Sequence, residues 1–474
     1  MLFNSLHFLV FFPFITALYF LVPQRNRWQL LLAGSCYFYM VFRPIYIVIL
    51  LLTISVDYYA ALRIAESQGT KRKRWLVISI VSTVLILGIF KYLDFLLFNY
   101  NLFTGNFFGI APIPLLEIAL PIGLSFHTFQ SLSYVIEVYR NKQKPERHFG
   151  IYSLYVMFYP QLVAGPIERP QNLLPQFRVV HNFDLARMKE GLLLMVWGFF
   201  KKVCIADRIG SYVDDVYGDP MSATGTEALL AIYFYAFQIY CDFSGYSDIA
   251  IGSANVMGFN LAPNFNRPYA AQSLADFWKR WHISLSSWFR DYVYIPLGGN
   301  RQGIKRQLVN IFITFTISGL WHGAHWNFVF WGAFHALFLI GGYLLNIKKQ
   351  ETTRAKYFQW IKMLATFHLV ALLWVVFRAQ TLGQAIDVVK ALGHRWPLKM
   401  PFGQGFETFI DLVPAIPLII MMLFMEWKHG ANPIMRWQQG KALAMRWAMV
   451  WGIIFLILNF GAFTKGQSFI YFQF

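Results

Sequence analysis

The stretch from Ile317 to Ala336, ISGLWHGAHWNFVFWGAFHA, holds three histidines in otherwise apolar sequence. A neutral imidazole can take a proton from a hydroxyl near pH 7, and an apolar setting keeps it unhydrated and oriented. His322, between Trp321 and Gly323, is therefore the first candidate for a general base. Read as one membrane-embedded helix, the stretch puts His325 on the same face as His322. His335 then stands thirteen residues further on, or ~20 Å of helix rise. One HxxH with no acidic ligand nearby and no second histidine box is a poor metal site, so no metal is assigned. His335 and His127, each alone on an apolar helix, read as core histidines.

A second polar block, NFNRPYAAQSLADFWKRWHISLSSWFRDYVYIPLGGNR, runs from 264 to 301. Helical spacing predicts Lys279 and Trp278 beside His282, and Ser286 beside Arg290. Such a helix suits a membrane interface, and its cations Lys279, Arg280 and Arg290 also suit the phosphates of an anionic cofactor such as coenzyme A. Upstream, Asp242 and Asp248 lie in QIYCDFSGYSDIAIGSANVMGF. Carboxylates at membrane depth must be capped, solvated or paired, and a basic residue such as Arg267 is the expected partner. Ala250, Ala254 and Gly258 offer small residues for close helix approach.

These residues need elements that span a bilayer. The chain has 474 residues, 57% hydrophobic and only 14% charged, which excludes an ordinary soluble domain and predicts an all-α polytopic membrane protein. Its 41 Lys and Arg outnumber 23 Asp and Glu, a balance that in a soluble protein would suggest nucleic acid. Here the cations cluster between apolar runs, at Arg25 and Arg27, Lys71 to Arg74, Arg140 to Arg147, Lys201 and Lys202, Arg301 to Arg306, and Lys348 to Lys356. That is the positive-inside pattern, and it makes membrane lipid the partner, with no nucleic acid. Roughly 10 to 12 crossings are expected. The first 22 residues read as a retained span with the N-terminus outside, since they lack a basic start and a cleavage site. Residues 28–62 should fold back near Arg43 and Pro44, and 160–176 and 260–301, rich in Pro, Gly and charge, should be re-entrant or interfacial. No stretch is long enough for a separate soluble core, so residues 1–474 form a single expected domain. The absence of internal repeats weighs against a transporter. Cys36, Cys204 and Cys241 read as packing residues without a disulfide framework.

The blocks KYLDF (91–95), LVAGPIERP (162–170), FKKVCIADR (200–208), FNRPY (265–269), FWKRWHISLSSWFRDYVYIPLGGNR (277–301), SGLWHG (318–323) and LLWVVFRA (372–379) follow in order along nearly the whole chain. The chain resembles the membrane-bound O-acyltransferase (MBOAT) family, in the alginate O-acetylation branch that also includes the D-alanyl transferases of teichoic acid modification. The resemblance implies that His322 is the histidine essential for transfer and His282 its second polar residue. It implies a fold of tilted helices ringing a thin centre, with a cytoplasmic funnel for the donor and an outer opening for the acceptor.

The expected donor is acetyl-CoA, as co-substrate with no tightly bound cofactor. The expected acceptor side is a hydroxyl on, or a partner serving, a cell-surface polysaccharide; that partner is an extracytoplasmic acetyltransferase or a small membrane carrier. The alternative is D-alanyl transfer from a carrier-protein thioester. The expected location is the bacterial cytoplasmic (inner) membrane. His322 is expected to act as base and His282, or a local donor, to hold the oxyanion. Trp326, Phe328 and Trp331 would favour a short acyl chain. Two departures from the family pattern stand out: His325 where a small residue is expected, and His127 where an aromatic is expected.

Overall fold

The structure, a computed structural model, describes residues 1–346, 356–394, 396, 412–463 and 469–470. Long apolar runs without strict alternation favour helix over strand, and among the described residues the regular structure is helical throughout. Tyr46–Glu66, Gly69–Phe108, Trp326–Leu345, Phe358–Arg378 and Leu443–Phe460 are long and apolar enough to cross a membrane. Gly225–Met257 and Gly303–His322, of 33 and 20 residues, also reach spanning length but carry polar residues in their interiors. The chain is a multi-pass membrane protein. Its cysteines are free thiols.

The described chain falls into two compact units, and the first comprises Met1–Gly191 with Ala250–Ala262. Its helices Gln24–Met40 and Tyr46–Glu66 turn back across residues 41–45, the hairpin expected at Arg43 and Pro44. The next helix runs 40 residues to Phe108, through a π turn at Gly88–Tyr92, well past the apolar run that predicted it. Asp57 locks three helices together: it accepts hydrogen bonds from Ser79 (2.5 Å) and Thr83 (3.1 Å), and from Ser131 on Leu124–Tyr139. Arg72 donates to the carbonyls of Val138 (3.1 Å) and Tyr139 (2.7 Å), covering the open C-terminal end of that helix.

Within 160–176 only residues 163–169, between the helices Tyr159–Leu162 and Pro170–Gln176, have irregular backbone that is buried or nearly so. Their polar groups are met: the Glu168 carbonyl accepts from Tyr155 (2.9 Å), and its carboxylate accepts from the Ala262 amide (2.5 Å) and Asn172 (2.6 Å). His127 is buried with Nε2 3.3 Å from the Thr53 hydroxyl, a core histidine as expected.

The second unit comprises Leu192–Ile249 with Pro263–Phe474. The helix Leu185–Phe199 continues into a π turn, Phe200–Ala206, before Asp207–Gly218. Gly198 permits a close helix approach, because a Cβ there would lie 2.6 Å from the Gly245 carbonyl oxygen. With the helices this near, the π turn brings Lys201 within 2.6 Å of Asp248, and Lys202 within 2.6 Å of Asp242 and 2.7 Å of Asp207. Lys201 also donates to Ser244 (2.9 Å).

Two expectations are corrected here. The aspartates pair with lysines and not with Arg267. Lys201 and Lys202, read from sequence as part of the positive-inside pattern, are 3% and 4% exposed. A buried cation is tolerated only when paired, which is what the two aspartates provide.

Candidate active site

The helix Gly303–His322 stops at the histidine itself, because Gly323 takes extended backbone (φ −159°, ψ 149°). After a three-residue break the chain re-enters helix at Trp326–Asn346 and packs back against the first helix. Gly319 and Gly332 make that contact possible: a Cβ on Gly319 would lie 2.2 Å from the Phe328 carbonyl oxygen, and one on Gly332 2.2 Å from that of Phe315.

The single helix expected over Ile317 to Ala336 is thus a hairpin, and two readings change with it. His325 falls in the break and is exposed, so it shares no helical face with His322. His335 returns toward His322: both rings sit edge-on to Trp331, at 4.7 Å and 5.2 Å between centroids. His335 Nδ1 accepts a hydrogen bond from the Trp278 indole (3.2 Å), the role of a core histidine.

His322 is 3% exposed and boxed by aromatic rings: Trp321 at 4.9 Å, Trp331 at 5.2 Å and Phe377 at 5.4 Å. Phe328 packs on Phe377 (5.0 Å). Trp326, expected among these neighbours, is exposed, and Phe377 takes that place from a helix the sequence did not connect to the site.

His282 is fully buried and left-handed (φ 43°, ψ 54°), between the helices Leu274–Arg280 and Ile283–Phe289. The expected continuous helix is therefore broken at Trp281 and His282, and Lys279 and Trp278 are not its register neighbours. What holds His282 is Asn264. The Asn264 carbonyl oxygen accepts from the Ser284 hydroxyl (2.9 Å) and the Ser284 amide (3.3 Å), and it lies 3.1 Å from His282 Nδ1. The backbone of Asn264 accepts from the Ile283 amide (2.9 Å). An oxygen that receives a backbone N–H can only accept, so His282 Nδ1 carries the proton and the neutral ring offers Nε2 as a lone pair. Phe243 closes on the ring edge-to-face at 4.6 Å.

The two histidines share a neighbour, since the Trp321 ring is 4.9 Å from His322 and 6.4 Å from His282. The helices Ile283–Phe289, which follows His282, and Gly303–His322 wall one cavity of ≈ 410 Å³ that neither histidine lines. Its lining includes Ile283, the residue after His282, and Ser318, one turn before His322, with Lys279, Ser286 and Arg290. Arg280 does not line it and pairs instead with Asp276 (2.8 Å). Arg290 contacts Asp291 (2.8 Å) from an exposed position. Its amide donates to the Ser286 carbonyl, the expected neighbour. Sequence reasoning missed Asn264, Phe377 and the two lysines. For Asn264, the one available signal was that a buried histidine needs an acceptor.

Two buried histidines beside a cavity in a multi-pass membrane protein make this the candidate site, and the chain belongs to the membrane-bound O-acyltransferase family. That family's model matches residues 140–374, a span containing both histidines and the whole cavity lining. Among particular relatives, the chain is 39% identical over 396 residues to the probable alginate O-acetylase AlgI of Pseudomonas aeruginosa, covering 83% of this chain and 75% of that protein. It is 36% identical over 410 residues to the peptidoglycan O-acetyltransferase of Helicobacter pylori, covering 80% and 76%. Similarity to the teichoic acid D-alanyltransferase of Bacillus subtilis is lower, 28% over 280 residues, covering 54% and 68%.

Proposed function

We propose that this enzyme, acting as one domain in the bacterial cytoplasmic (inner) membrane, moves an acetyl group from cytoplasmic acetyl-CoA to a hydroxyl, in the O-acetylation of a cell-surface polysaccharide. The observation that carries the reading is the pair of buried histidines flanking Trp321, at the ends of helices that wall a cavity whose lining includes the cations Lys279 and Arg290. The relatives named for alginate and peptidoglycan O-acetylation support acetyl as the group and a polysaccharide as its destination. The acceptor hydroxyl belongs to an extracytoplasmic acetyltransferase partner or a small membrane carrier, which passes the group on.

In this mechanism Lys279 and Arg290 hold the phosphates of the donor, because charge-assisted bonds to phosphate are the strong ones. Arg280, which does not line the cavity, contributes less. His322 takes the proton of the acceptor hydroxyl as its oxygen attacks the thioester carbonyl, a step for which a positioned base gives about 10²- to 10⁴-fold. The tetrahedral intermediate collapses with loss of the thiolate, which recovers a proton as coenzyme A. With Asn264 fixing Nδ1–H, neutral His282 aligns a hydroxyl through Nε2 and does not donate to an oxyanion. The aromatic box keeps water from the thioester.

The test is transfer of radiolabelled acetyl from acetyl-CoA by the purified protein in lipid nanodiscs. His322→Ala should lose transfer by at least about 100-fold while eluting as wild type by size exclusion. A folded His322→Ala enzyme with near-normal transfer would remove the assignment. D-alanyl transfer from a carrier-protein thioester is the competing outcome, read by offering both donors to the wild type.

A further inference from the structure

Arg267, the expected partner of the aspartates, has no role in the chemistry above. Its backbone is left-handed (φ 47°), a conformation that is uncommon for a non-glycine residue. Among the described residues its guanidinium makes no ion pair, and its buried Nε has no hydrogen-bond partner. A cation beside apolar surface favours an anionic partner.

Arg267 lines a cavity of ≈ 460 Å³ distinct from the one beside the histidines. The carboxyl of Glu426, 5% exposed and accepting from the Tyr240 hydroxyl (2.8 Å), lines the same cavity. The rest of the lining is overwhelmingly apolar, from Trp360 and Phe367 on the Lys356–Arg378 helix and from Ile420, Phe424 and Trp427 on Ala415–His429. Trp360 and Trp427 are 52% and 64% exposed, as side chains facing lipid would be.

Depth follows from the chain. The first of these helices begins after the basic run Lys348 to Lys356, and the second ends in Lys428 and His429, so both ends face the cytoplasm by the positive-inside rule. Trp360, Glu426 and Trp427 then lie at the shallow, headgroup level where tryptophan concentrates. Phe367 and Ile420 lie about 10 Å deeper. Lys428 stands over the Phe424 ring (5.7 Å) at the rim.

We propose that this cavity binds an amino-phospholipid of the inner leaflet, with its phosphate on Arg267, its ammonium on Glu426 and an acyl chain running along Phe367 and Ile420. A cation and a carboxyl in one apolar slot complement the two charges of a zwitterionic headgroup. An anionic lipid would meet Glu426 as a repulsive neighbour.

The test reconstitutes the full chain in vesicles of equal phosphatidylethanolamine and phosphatidylglycerol, extracts it gently and reads the retained lipids by native mass spectrometry. Phosphatidylethanolamine should be retained about tenfold over phosphatidylglycerol, a difference of about 1.4 kcal/mol. Glu426→Gln should erase the preference, and Arg267→Gln should lose both lipids. Because either variant can fold poorly, the wild type is also tested with acyl-brominated lipids, where brominated phosphatidylethanolamine should quench tryptophan fluorescence more than brominated phosphatidylglycerol. Equal retention and equal quenching of the two lipids by wild type, or undiminished retention by a folded Arg267→Gln protein, would overturn the proposal.

Discussion

Lys202 stands between two carboxylates, 2.7 Å from Asp207 and 2.6 Å from Asp242. Changing Lys202→Met keeps most of the side-chain volume and removes the charge, leaving both carboxylates buried without their cation. Breaking a buried pair in this way costs ~3–5 kcal/mol. Asp207→Asn is a milder change: the Lys202–Asp242 pair survives and an amide oxygen can still accept from the ammonium, so a loss of about 1 kcal/mol is expected. At roughly 2–4 °C per kcal/mol for domains of 150–250 residues, Lys202→Met should unfold on the order of 10 °C below wild type and Asp207→Asn only a few degrees below. Unfolding from detergent is irreversible for many such proteins, so all variants are compared at one scan rate by tryptophan fluorescence. The double variant Lys202→Met with Asp242→Asn should recover part of the loss, because one stranded charge is gone. If Lys202→Met unfolds within about 2 °C of wild type, the ion network does not hold the π turn on its neighbour and the reasoning fails.

Asn264→Ala frees the His282 ring; kcat for transfer should fall about tenfold to a hundredfold with donor KM unchanged, and an unaltered kcat would refute the positioning role. Lys279→Gln combined with Arg290→Gln should raise donor KM at least about tenfold, whereas Arg280→Gln should leave it near wild type; equal effects from all three would dismiss the cavity as the donor site. Gly319→Val overfills the hairpin contact and should cost about 1–3 kcal/mol or more. Gly341→Ala is the control, since no atom lies within 4 Å of a Cβ there, and thermal unfolding separates the two.

Several features needed no tertiary information. A chain this apolar, with its cations gathered between hydrophobic runs, has no solution in water that buries enough surface, so the membrane class follows from composition. The turn at residues 41–45 followed from Arg43 and Pro44 between two apolar stretches. The buried irregular backbone at 163–169 followed from the rule that such backbone must be satisfied by protein, whereas the helix Pro170–Gln176 in the same stretch did not. The readings that changed were those resting on uninterrupted helical spacing. Nothing local announces that Trp281 and His282 leave the helix, because the backbone there is set by Asn264, eighteen residues earlier. At 323–325 the flanking residues favour helix equally on both sides, and the reversal is stabilised by glycine contacts between the two arms.

By itself the sequence determined that the protein lies in a membrane, that His322 and His282 are its candidate reactive groups, and which blocks it shares with its family. Composition and short motifs suffice for that, because they report on solvent and on chemistry that does not depend on what lies across a helix interface. Only the tertiary structure decided that His282 presents Nε2 as an acceptor, that Lys201 and Lys202 answer Asp248 and Asp242, and that Arg267 is left facing a second cavity. Each of these turns on a separation of a few ångströms between residues distant in sequence, and hydrogen bonds and ion pairs in a low-dielectric interior are governed by that separation and not by order along the chain.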